Sequence, residues 1–337
     1  MYNKAGFLYG NNLHYVDHIA ILCDLLEIPL FITDDSIQTT LVKYYPKLTT
    51  KLVSPTHFSE TILSNYDVVF SCLPKQLINH LFFFDEHKLK KKLLTVWLPH
   101  GNSDKDNLSA LIKEDLLLIY GKQMQDTLLK AGLLSSKLTT IGNFRSYHYT
   151  LNKPFYEKLL SPSLAFSKKQ KTIFYAPTWS NSCIEKTLPQ LLSNFPSHYN
   201  LYIKTHPNIV ETGYYIALME KYITQPNIKF IDAIPTIYPI LEKADIYLSD
   251  HSSIAYDFLF FNRPLFFLTG KKTLIHHTGE VITLDSFFEK IDSEDNFAIA
   301  RHDIYQYCFD QSVHHYQLKQ IIDNTINTYF ETQVHNL

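Results

Sequence analysis

The stretch ADIYLSDHSSIAYDFLFFNRPLFFL, residues 244–268, decides the fold. It opens with an apolar strand at 244–248, passes through a polar turn, continues as a helix over 254–261 and ends in a strand at 264–268. A strand followed by a helix and a second strand is the repeating unit of a parallel α/β sheet. Ligands of such sheets bind beyond the carboxyl ends of the strands, so the polar turn lies where a ligand is expected.

The side chains of this turn are suited to an anion. A helix that begins at a turn presents unpaired N–H groups, and Ser252 and Ser253 add hydroxyl donors beside them. Asp257, one turn into the helix, can reach a sugar hydroxyl, so the segment suits the diphosphate of a nucleotide-linked donor. The alternative is structural, because a serine at this position commonly caps the helix.

The rest of the chain repeats the alternation of short apolar runs and helical patterns. Further strands are predicted at 5–9, 29–33, 67–72, 93–98, 116–120, 172–175, 200–204 and 228–231, with helices that include 14–26 and 311–330. This alternation predicts an α/β protein with two Rossmann-like, doubly wound domains whose strand ends face a central cleft.

The pattern breaks near residue 150. The stretch 151–171 contains Pro154, Pro162 and the run SKKQK, which are typical of a segment that joins two domains. We therefore predict an N-terminal domain over 1–150 and a nucleotide-donor-binding domain over 151–310. The remaining residues, 311–337, are predicted to form a C-terminal helix that packs back on the N-terminal domain.

Composition narrows the class of function. The chain has 337 residues, of which 45% are hydrophobic, enough for two packed domains. Charged residues make up 19% and the net charge is -2, which argues against a nucleic-acid binder that relies on overall positive charge. No GxGxxG or Walker sequence is present, so a glycine-rich phosphate loop is not predicted.

The cysteines and apolar segments bear on the compartment. Cys23, Cys72, Cys183 and Cys308 form no CxxC pair, so we predict reduced thiols in a cytoplasmic protein, with neither a disulfide frame nor a metal site. The stretch MYNKAGFLYGNNLHYVDH at 1–18 lacks the long apolar region of a signal peptide, and no uncharged run approaches the roughly 20 apolar residues that predict a membrane span.

One basic segment allows two interpretations. The run KLKKK at 88–92 lies beside LFFF at 81–84. It is either a solvated helix face or a contact with an anionic membrane surface.

Polar side chains also follow strands of the first domain. His100 and Gly101 come after the strand at 93–98; a histidine there can act as a general base near neutral pH, and a glycine lets a ligand approach closely. The alternative is a loop histidine that bonds only to backbone. Arg145 follows a glycine turn and can pair with a phosphate, although surface arginines are common.

Two similar clusters fall in the second domain. Thr178 and Trp179 follow its first strand and are candidates to line a nucleotide or phosphate pocket; Thr178 is otherwise a helix cap. Lys204 and His206 follow the next strand, two residues apart, so in extended chain they point the same way and suit a phosphate. The alternative is a solvated lysine and a histidine bonded to the turn.

Taken together and in order, five motifs resemble those of the CDP-glycerol glycerophosphotransferase family. They are HGNSDK at 100–105, GNFR at 142–145, YAPTW at 175–179, KTHP at 204–207 and LSDHSSIAYDF at 248–258. These enzymes build teichoic acids and related phosphate-linked capsule or surface polymers of the cell envelope. The resemblance implies a GT-B architecture and transfer of glycerol phosphate from CDP-glycerol to an acceptor hydroxyl, with CMP released and no metal or cofactor.

The resemblance also implies residue roles. His100 matches the histidine taken as the base, and His206 matches the histidine associated with the donor diphosphate. Ser252 and Ser253 match the paired hydroxyl residues of the phosphate-binding helix start, and Asp257 matches the acidic residue of that helix. The implied partners are a CDP-linked alditol and a polymer or lipid-linked acceptor on the N-terminal side. The implied location is cytoplasmic, or peripheral on the inner face of the cell membrane.

Two motifs depart from the family pattern. Phe144 precedes Arg145 where proline is usual, and Asn102, Ser103 and Asp104 replace the commonest threonine-proline form after His-Gly. Gly101, Asp104 and Arg145 are our candidates for acceptor or phosphate binding, and Asp104 and His14 are the next candidates for the base.

Two rival functions stay open. One is a GT-B glycosyltransferase or sugar-nucleotide epimerase that uses a CMP- or UDP-sugar. The other is a non-catalytic nucleotide-binding module. A product assay separates the first rival, and nucleotide binding without CMP release would identify the second.

Overall fold

The computed structural model describes residues 2–102, 109–178, 184–268 and 273–334. The chain divides into two compact units. Unit 1 comprises Met1–His100, Lys105–His148 and Tyr307–Leu337, and unit 2 comprises Gly101–Asp104 and Tyr149–Gln306.

Short buried strands alternate with helices along the described chain. The strands are β1 (Lys4–Leu8), β2 (Leu30–Ile32), β3 (Thr50–Leu52), β4 (Val68–Ser71), β5 (Leu94–Trp97), β6 (Leu116–Ile119), β7 (Leu138–Thr140), β8 (Thr172–Tyr175), β9 (Asn200–Ile203), β10 (Ile228–Phe230), β11 (Ile246–Ser249), β12 (Leu265–Phe267) and β13 (Glu280–Val281). The helices are α1 (Leu13–Leu26), α2 (Asp35–Tyr44), α3 (Phe58–Asn65), α4 (Lys75–Leu89), α5 (Lys122–Lys130), α6 (Phe144–Leu164), α7 (Ile184–Ser193), α8 (Pro207–Val210), α9 (Gly213–Tyr222), α10 (Tyr238–Lys243), α11 (Ile254–Phe258), α12 (Leu284–Lys290), α13 (Ala298–Cys308) and α14 (Leu318–Val334). Short 3-10 turns lie at Ser109–Lys113, Ser135–Lys137, Leu259–Phe261, Leu274–Thr278 and His315–Gln317.

Each unit contains one parallel sheet with the same strand order. In the described residues the order is β3-β2-β1-β4-β5-β6-β7 in unit 1 and β10-β9-β8-β11-β12-β13 in unit 2. The central strands are buried along their length, as expected when helices cover both faces of a parallel sheet. The order reverses between β1 and β4 and between β8 and β11, which is the doubly wound topology. The predicted α/β fold class is therefore confirmed.

Apolar side chains from strands and helices form a separate core in each unit. In unit 1, the ring of Phe7 stacks on Phe58 at 5.0 Å and meets Phe82 edge-on at 5.5 Å between ring centroids. In unit 2, Leu191 packs with Phe287 among other residues that are almost fully buried. These cores account for the high content of aromatic and aliphatic residues.

Several elements differ from the sequence prediction. The stretch 151–171, interpreted as a joining segment, is helical as far as Leu164, because α6 continues through Pro154 and Pro162. The predicted helix over 254–261 is α-helical only for its first five residues and then tightens into a 3-10 turn. The predicted helix over 311–330 begins only at Leu318. The strands β3, β7 and β13 were not predicted.

The C-terminal residues pack on the first helix and strand of unit 1. Lys319 Nζ of α14 donates to Glu27 at 2.6 Å, and Lys4 forms an ion pair with Asp323. A side chain at Gly121 would meet the backbone oxygen of Cys308 at 2.7 Å, so this close approach requires glycine.

Cys23, Cys72 and Cys308 are free and buried, whereas Cys183 lies outside the described residues. Over the described ranges, no helix combines the length and apolar character that a membrane crossing requires.

Candidate functional site

The predicted polar clusters of unit 2 follow three neighbouring strands. Lys204 and His206 follow β9, Thr178 follows β8, and Ser252 and Ser253 follow β11. These strands are adjacent in the order β9-β8-β11 and parallel, so the clusters share the carboxyl edge of the sheet. The reversal of strand order lies between β8 and β11, which is where open α/β sheets bind ligands.

A buried carboxylate links the loops that follow β8 and β11. Asp250 is 4% exposed and accepts from the backbone N–H of Thr178 at 3.0 Å and from its hydroxyl at 2.6 Å. The same carboxylate accepts from the backbone N–H of His251 at 2.7 Å. Thr178 is therefore fixed from the neighbouring loop. The predicted alternative of a helix cap involves 179–183, which lie outside the described residues.

A second carboxylate holds the loop that follows β9. Asp232 accepts from the backbone N–H of Thr205 at 2.6 Å and from its hydroxyl at 3.1 Å. Lys204 Nζ donates to the backbone oxygens of Ile234 at 2.6 Å and of Asp232 at 3.2 Å. The ammonium group thus lies against two carbonyl oxygens, a contact that the sequence did not predict.

Tyr215 completes the surroundings of Asp232. Its hydroxyl donates to the second carboxylate oxygen at about the lower limit of hydrogen-bond length. Burial raises the pKa of Tyr215, and the charge of Asp232 raises it further. The phenol therefore stays protonated and remains a donor to the carboxylate.

The ring of His206 is oriented by the turn that it caps. Its Nδ1 accepts from the backbone N–H of Asn208 at 3.2 Å, at the start of the short helix α8. An imidazole nitrogen that accepts a hydrogen bond carries no proton, so the neutral ring carries its proton on Nε2. His206 is thus hydrogen-bonded to its own turn, as the alternative interpretation of the sequence predicted. The same hydrogen bond determines that the proton of the neutral ring is on Nε2.

The serines after β11 lie at the start of α11. Ser253 occupies the N-cap position, but its side chain makes no capping hydrogen bond, whereas Ser252 is buried. Gly101 has a φ of +129°, which favours glycine, and a Cβ atom there would crowd Ser253 Oγ at 3.1 Å. Gly101 and Ser253 are therefore brought together within unit 2.

Asp257 lies deeper than the serines. It is 6% exposed, and its carboxylate accepts from the hydroxyl of Tyr238 at 3.0 Å. Its predicted contact with a sugar hydroxyl stays a prediction.

His100 lies on the surface of unit 1, beyond the end of β5. Its exposed ring packs edge-on against Tyr15 at 4.9 Å and lies 6.2 Å from the ring of His14, between centroids. The preceding carbonyl, that of Pro99, accepts from the hydroxyl of Tyr120 at 3.1 Å. The loop is thus supported by aromatic side chains.

The hydrogen bonds that support this loop continue from Tyr120 to His18, which is neutral. Nδ1 of His18 lies 3.2 Å from the Tyr120 hydroxyl. Burial holds the pKa of His18 well below 6.5, and the charge of Arg145 adds to the effect. Because the hydroxyl hydrogen of Tyr120 is donated to Pro99, His18 donates from Nδ1 to the Tyr120 oxygen. Burial also lowers the pKa of His14, the alternative base.

Arg145 lies in the interior of unit 1. Its Nη2 and Nε donate to Asp17 at 2.7 and 3.2 Å, and the side chain is 4% exposed. Tyr45 donates to the other oxygen of Asp17 at 2.9 Å. The structure therefore gives Arg145 a buried ion pair, and its predicted role in acceptor or phosphate binding stays a prediction.

Some predicted residues lie outside the described ranges, and two that matter were missed. Trp179, Ser103 and Asp104 are not described. The sequence analysis assigned no role to Asp232 and Asp250, whose carboxylates hold the loops. The sequence feature that could have indicated them is a carboxylate one or two residues after the end of a strand. Within the described ranges, no group of three or more His, Cys, Asp or Glu side chains is placed to hold a metal ion.

Comparison with known proteins gives matches in sequence and in fold. Residues 147–288 match the model of the family described as CDP-glycerol:poly(glycerophosphate) glycerophosphotransferase. The chain is also 27% identical over 164 residues to the teichoic acid glycerol-phosphate primase of Bacillus subtilis (strain 168). That alignment covers 46% of this chain and 39% of the primase, so the chain spans well under half of its relative.

Solved structures resemble the chain over nearly its whole length. The wall teichoic acid polymerase TagF superposes with a TM-score of 0.66 at 15% identity, covering 98% of this chain and 90% of TagF. The S. aureus MnaA–UDP structure gives 0.59 at 12% identity over 98% and 97%. The UDP-GlcNAc 2-epimerase from Neisseria meningitidis gives 0.56 at 13% identity over 96% and 100%. At these identities the likeness supports the two-unit α/β fold alone.

The family match includes the loops that follow β8, β9 and β11, and therefore Thr178, His206 and Ser252. It confirms the predicted resemblance for the motifs at 175–179, 204–207 and 248–258, whereas the motifs at 100–105 and 142–145 lie outside the matched residues. Over residues 147–288, this chain is therefore similar to the CDP-glycerol:poly(glycerophosphate) glycerophosphotransferase family.

Proposed function

We propose that this chain is a transferase that moves glycerol phosphate, or a related alditol phosphate, from a CDP-linked donor to a hydroxyl of a polymer or lipid-linked acceptor. One observation carries the proposal. The segment that matches the glycerophosphotransferase family contains the three polar loops that meet at the carboxyl edge of the unit 2 sheet. Strand topology and sequence similarity thus point to one site.

The proposed donor site uses hydrogen-bond donors whose positions are already fixed. With Nδ1 accepting from the backbone, the proton of neutral His206 is on Nε2, and we assign this N–H as a donor to the diphosphate. The hydroxyls of Ser252 and Ser253 lie on an adjoining loop, whereas the Thr178 hydroxyl already donates to Asp250 and positions the loop after β8. Because α11 has only five residues, we assign the phosphate contacts to these groups and not to a helix dipole. Donors held in place before the reaction stabilise developing charge effectively.

The reaction proposed is a single displacement at phosphorus. The acceptor oxygen attacks the β-phosphorus of the donor, and the bond from that phosphorus to the bridging oxygen breaks. CMP leaves with the bridging oxygen, while His100 removes the acceptor proton. His206 and the serines stabilise the charge that accumulates on the departing CMP. Positioning and electrostatic stabilisation supply most of the rate enhancement in such transfers.

We also propose a location for the reaction. A polymer or lipid-linked acceptor for a CDP-linked donor places the protein in the cytoplasm, at the inner face of the cell membrane. The free, buried state of the described cysteines is compatible with this reducing compartment.

The test is a product assay coupled to donor binding. The protein is incubated with CDP-glycerol or CDP-ribitol and a glycerol-phosphate oligomer, and CMP is quantified by chromatography. The same donors should raise the free energy of unfolding by about 2.7 kcal/mol at 100 times their Kd, and UDP- and GDP-sugars should not.

Each outcome discriminates between functions. CMP release that depends on the acceptor supports the proposal. Stabilisation by a UDP-sugar in preference to the CDP-alditols would indicate a glycosyltransferase or an epimerase and contradict the proposed function. Donor binding without CMP release, over a range of acceptors, would indicate a nucleotide-binding module.

A further inference from the structure

The peptide that leads into His100 is held by a buried tyrosine. In the ladder between β4 and β5, the N–H of Leu98 donates to the backbone oxygen of Ser71 at 2.9 Å. The next residue, Pro99, has no N–H to add to this ladder. Its carbonyl oxygen accepts from the hydroxyl of Tyr120 at 3.1 Å. A side chain that follows the neighbouring strand β6 therefore continues the support that β4 gives to β5.

This hydrogen bond acts on the proposed base through one rigid unit. The carbonyl carbon of Pro99 is bonded to the nitrogen of His100, and the atoms of a peptide bond lie in one plane. Fixing the Pro99 oxygen therefore restricts the position of the His100 Cα atom, from which the imidazole extends. The Tyr120 hydroxyl thus orients His100 from behind the loop.

Two further rings hold the Tyr120 side chain in place. Tyr120 is 1% exposed, lies nearly parallel to Phe144 at 6.0 Å and meets Phe309 edge-on at 5.4 Å, between centroids. Phe144 is the residue that stands where proline is usual in the family pattern. This departure from the pattern therefore supplies a ring that packs on Tyr120.

A buried histidine of α1 donates to the same hydroxyl. Nδ1 of His18 lies 3.2 Å from the Tyr120 oxygen and donates to it, because the hydroxyl hydrogen is donated to Pro99. Burial holds the pKa of His18 well below 6.5 and the charge of Arg145 lowers it further, so the ring is neutral. Hydrogen bonds in a chain polarise and strengthen one another, so His18 reinforces the bond from Tyr120 to Pro99.

We propose that Tyr120 and His18 are positioning residues that hold His100 in place to remove the acceptor proton. The proposal rests on the proposed function, because that function takes His100 as the base. A base must lie within hydrogen-bond distance of the proton that it removes, and a displacement of about 1 Å can reduce the rate about 100-fold. Both positioning residues are buried, so they act through the peptide before His100 and not on the substrates.

Tyr120→Phe tests the hydroxyl and keeps the ring. The kcat for CMP release should fall roughly 10- to 100-fold, while acceptor KM and donor Kd change by less than about twofold, because only the base is displaced. Tyr202→Phe is the matched control, since Tyr202 is also buried and its hydroxyl also donates to a backbone oxygen, that of Leu164. It should lower the free energy of unfolding to a similar extent and leave kcat unchanged. Equal losses of kcat in the two variants would overturn the proposal.

Variants of His18 separate positioning from packing. His18→Leu removes the donor to Tyr120 and should lower kcat about fivefold. Asparagine places an amide N–H near the position of Nδ1, so His18→Asn should recover most of the rate, even though it fills the buried site less completely. Equal rates in His18→Leu and His18→Asn would overturn the role of His18.

A double variant tests whether Tyr120 acts through His100. In the His100→Ala background, Tyr120→Phe should cause no further loss of the residual rate, because a positioning residue has no effect once the residue that it positions is gone. A further loss as large as that in the wild-type background would contradict the proposal.

A second readout does not need turnover. In protein with isotope-labelled histidine, the Cε1–H resonance of His100 is identified by its absence from His100→Ala. It should shift in Tyr120→Phe and stay in place in Tyr202→Phe, and a resonance that moves in neither variant would overturn the proposal. If wild type released no CMP with any acceptor, the proposed function would fail, and this resonance would still decide whether Tyr120 positions His100.

Discussion

The two units share one strand order but hold their candidate histidines in different ways. In unit 2, the loop of His206 is tied down by the Asp232 carboxylate, through the Thr205 N–H at 2.6 Å, and by the His206 ring itself. In unit 1, the ring of His100 packs against Tyr15, and a hydrogen bond from Tyr120 supports the preceding residue. Charge-assisted hydrogen bonds fix the first loop, whereas ring packing contributes to the position of His100.

This difference suits two different tasks. A diphosphate has a fixed arrangement of oxygens, and rigid donors lose little entropy when they bind it. A general base must come within hydrogen-bond distance of the acceptor hydroxyl and have a suitable pKa, and the position of the acceptor varies. We therefore expect changes in unit 2 to act on donor affinity and changes at His100 to act on turnover.

The largest effect is expected from His100→Ala. Turnover should fall about 10²- to 10⁴-fold, because a positioned general base contributes a factor of that size. Donor affinity should remain near that of wild type, since the donor loops lie in unit 2. The measurements are CMP release with a competent acceptor and donor titration of the same preparation.

A matched control is His57→Ala, which removes another exposed histidine of unit 1. Circular dichroism checks that both variants are folded. Wild-type turnover in folded His100→Ala would move the search for the base to Asp104 and His14. If His100→Ala also weakened donor binding, the assignment of donor affinity to unit 2 and of turnover to His100 would be wrong.

His206→Ala should act on donor affinity and turnover together. A hydrogen bond to a charged group contributes about 1.5–3 kcal/mol, which corresponds to roughly a 10- to 150-fold weaker donor Kd. The exposed His198 of unit 2 provides the control, as His198→Ala should leave donor affinity unchanged. Unchanged affinity and rate in His206→Ala would show that this histidine serves only the turn.

Asp232→Ala tests whether the carboxylate positions the His206 loop. The substitution leaves the Thr205 N–H without its acceptor, so the loop should loosen and donor affinity fall by roughly fivefold, or about 1 kcal/mol. Tyr215→Phe removes a different bond to the same carboxylate and leaves the bond from the Thr205 N–H to Asp232 in place. It should lower the free energy of unfolding without changing donor Kd.

Asp232→Asn sharpens the same test. The amide oxygen can still accept from the Thr205 N–H, so this variant should recover most of the donor affinity that Asp232→Ala loses. If all three variants weaken the donor in proportion to their loss of stability, Asp232 is a stabilising residue only.

Sequence patterns predict most of this architecture because buried parallel strands are continuous apolar runs. They identified β1, β4 and β11 and the polar residues beyond the second domain's strands. They missed β3, which is short and largely exposed, and they misread the helix that passes through Pro154, because proline usually ends a helix. Local patterns carry no signal for such exceptions.

The contacts that hold the site could not be predicted from sequence patterns, because they join residues that are far apart in the chain. Arg145 and Asp17 are 128 residues apart, and the Asp232–Thr205 bond depends on β9 and β10 being neighbours. A motif can indicate that Arg145 is functionally important without indicating that it pairs with a buried carboxylate. Three-dimensional pairing of charges is decided by strand order, which single-sequence patterns specify only in part.

The carboxylates of the two units also differ in how fully they are bonded, and this gives the prediction with the smallest effect on function. Asp250 accepts hydrogen bonds on both oxygens. Glu114 of unit 1 is 1% exposed and accepts from the Lys75 N–H at 2.6 Å through Oε1, whereas its Oε2 has no partner among the described residues. Burial raises the pKa of Glu114 to about 7, and the adjacent charge of Asp115 contributes.

The raised pKa makes the stability of the folded chain depend on pH through Glu114. Between the unfolded pKa near 4.3 and the folded pKa of about 7, the folded chain holds a proton that the unfolded chain has lost. The free energy of unfolding therefore decreases as pH rises through this window and levels off above it.

Glu114→Gln keeps the acceptor for Lys75 and removes the titration, so it should be more stable than wild type at pH 8 by about 1–3 kcal/mol and equal to it at pH 4. Urea unfolding at intervals of half a pH unit measures both curves. Glu27→Gln is the opposite control, because the hydrogen bond from Lys319 lowers the pKa of Glu27 and its removal should cost stability above that pKa. Parallel curves for wild type and Glu114→Gln between pH 4 and 8 would show that Glu114 is ionised in the fold and that its Oε2 is solvated.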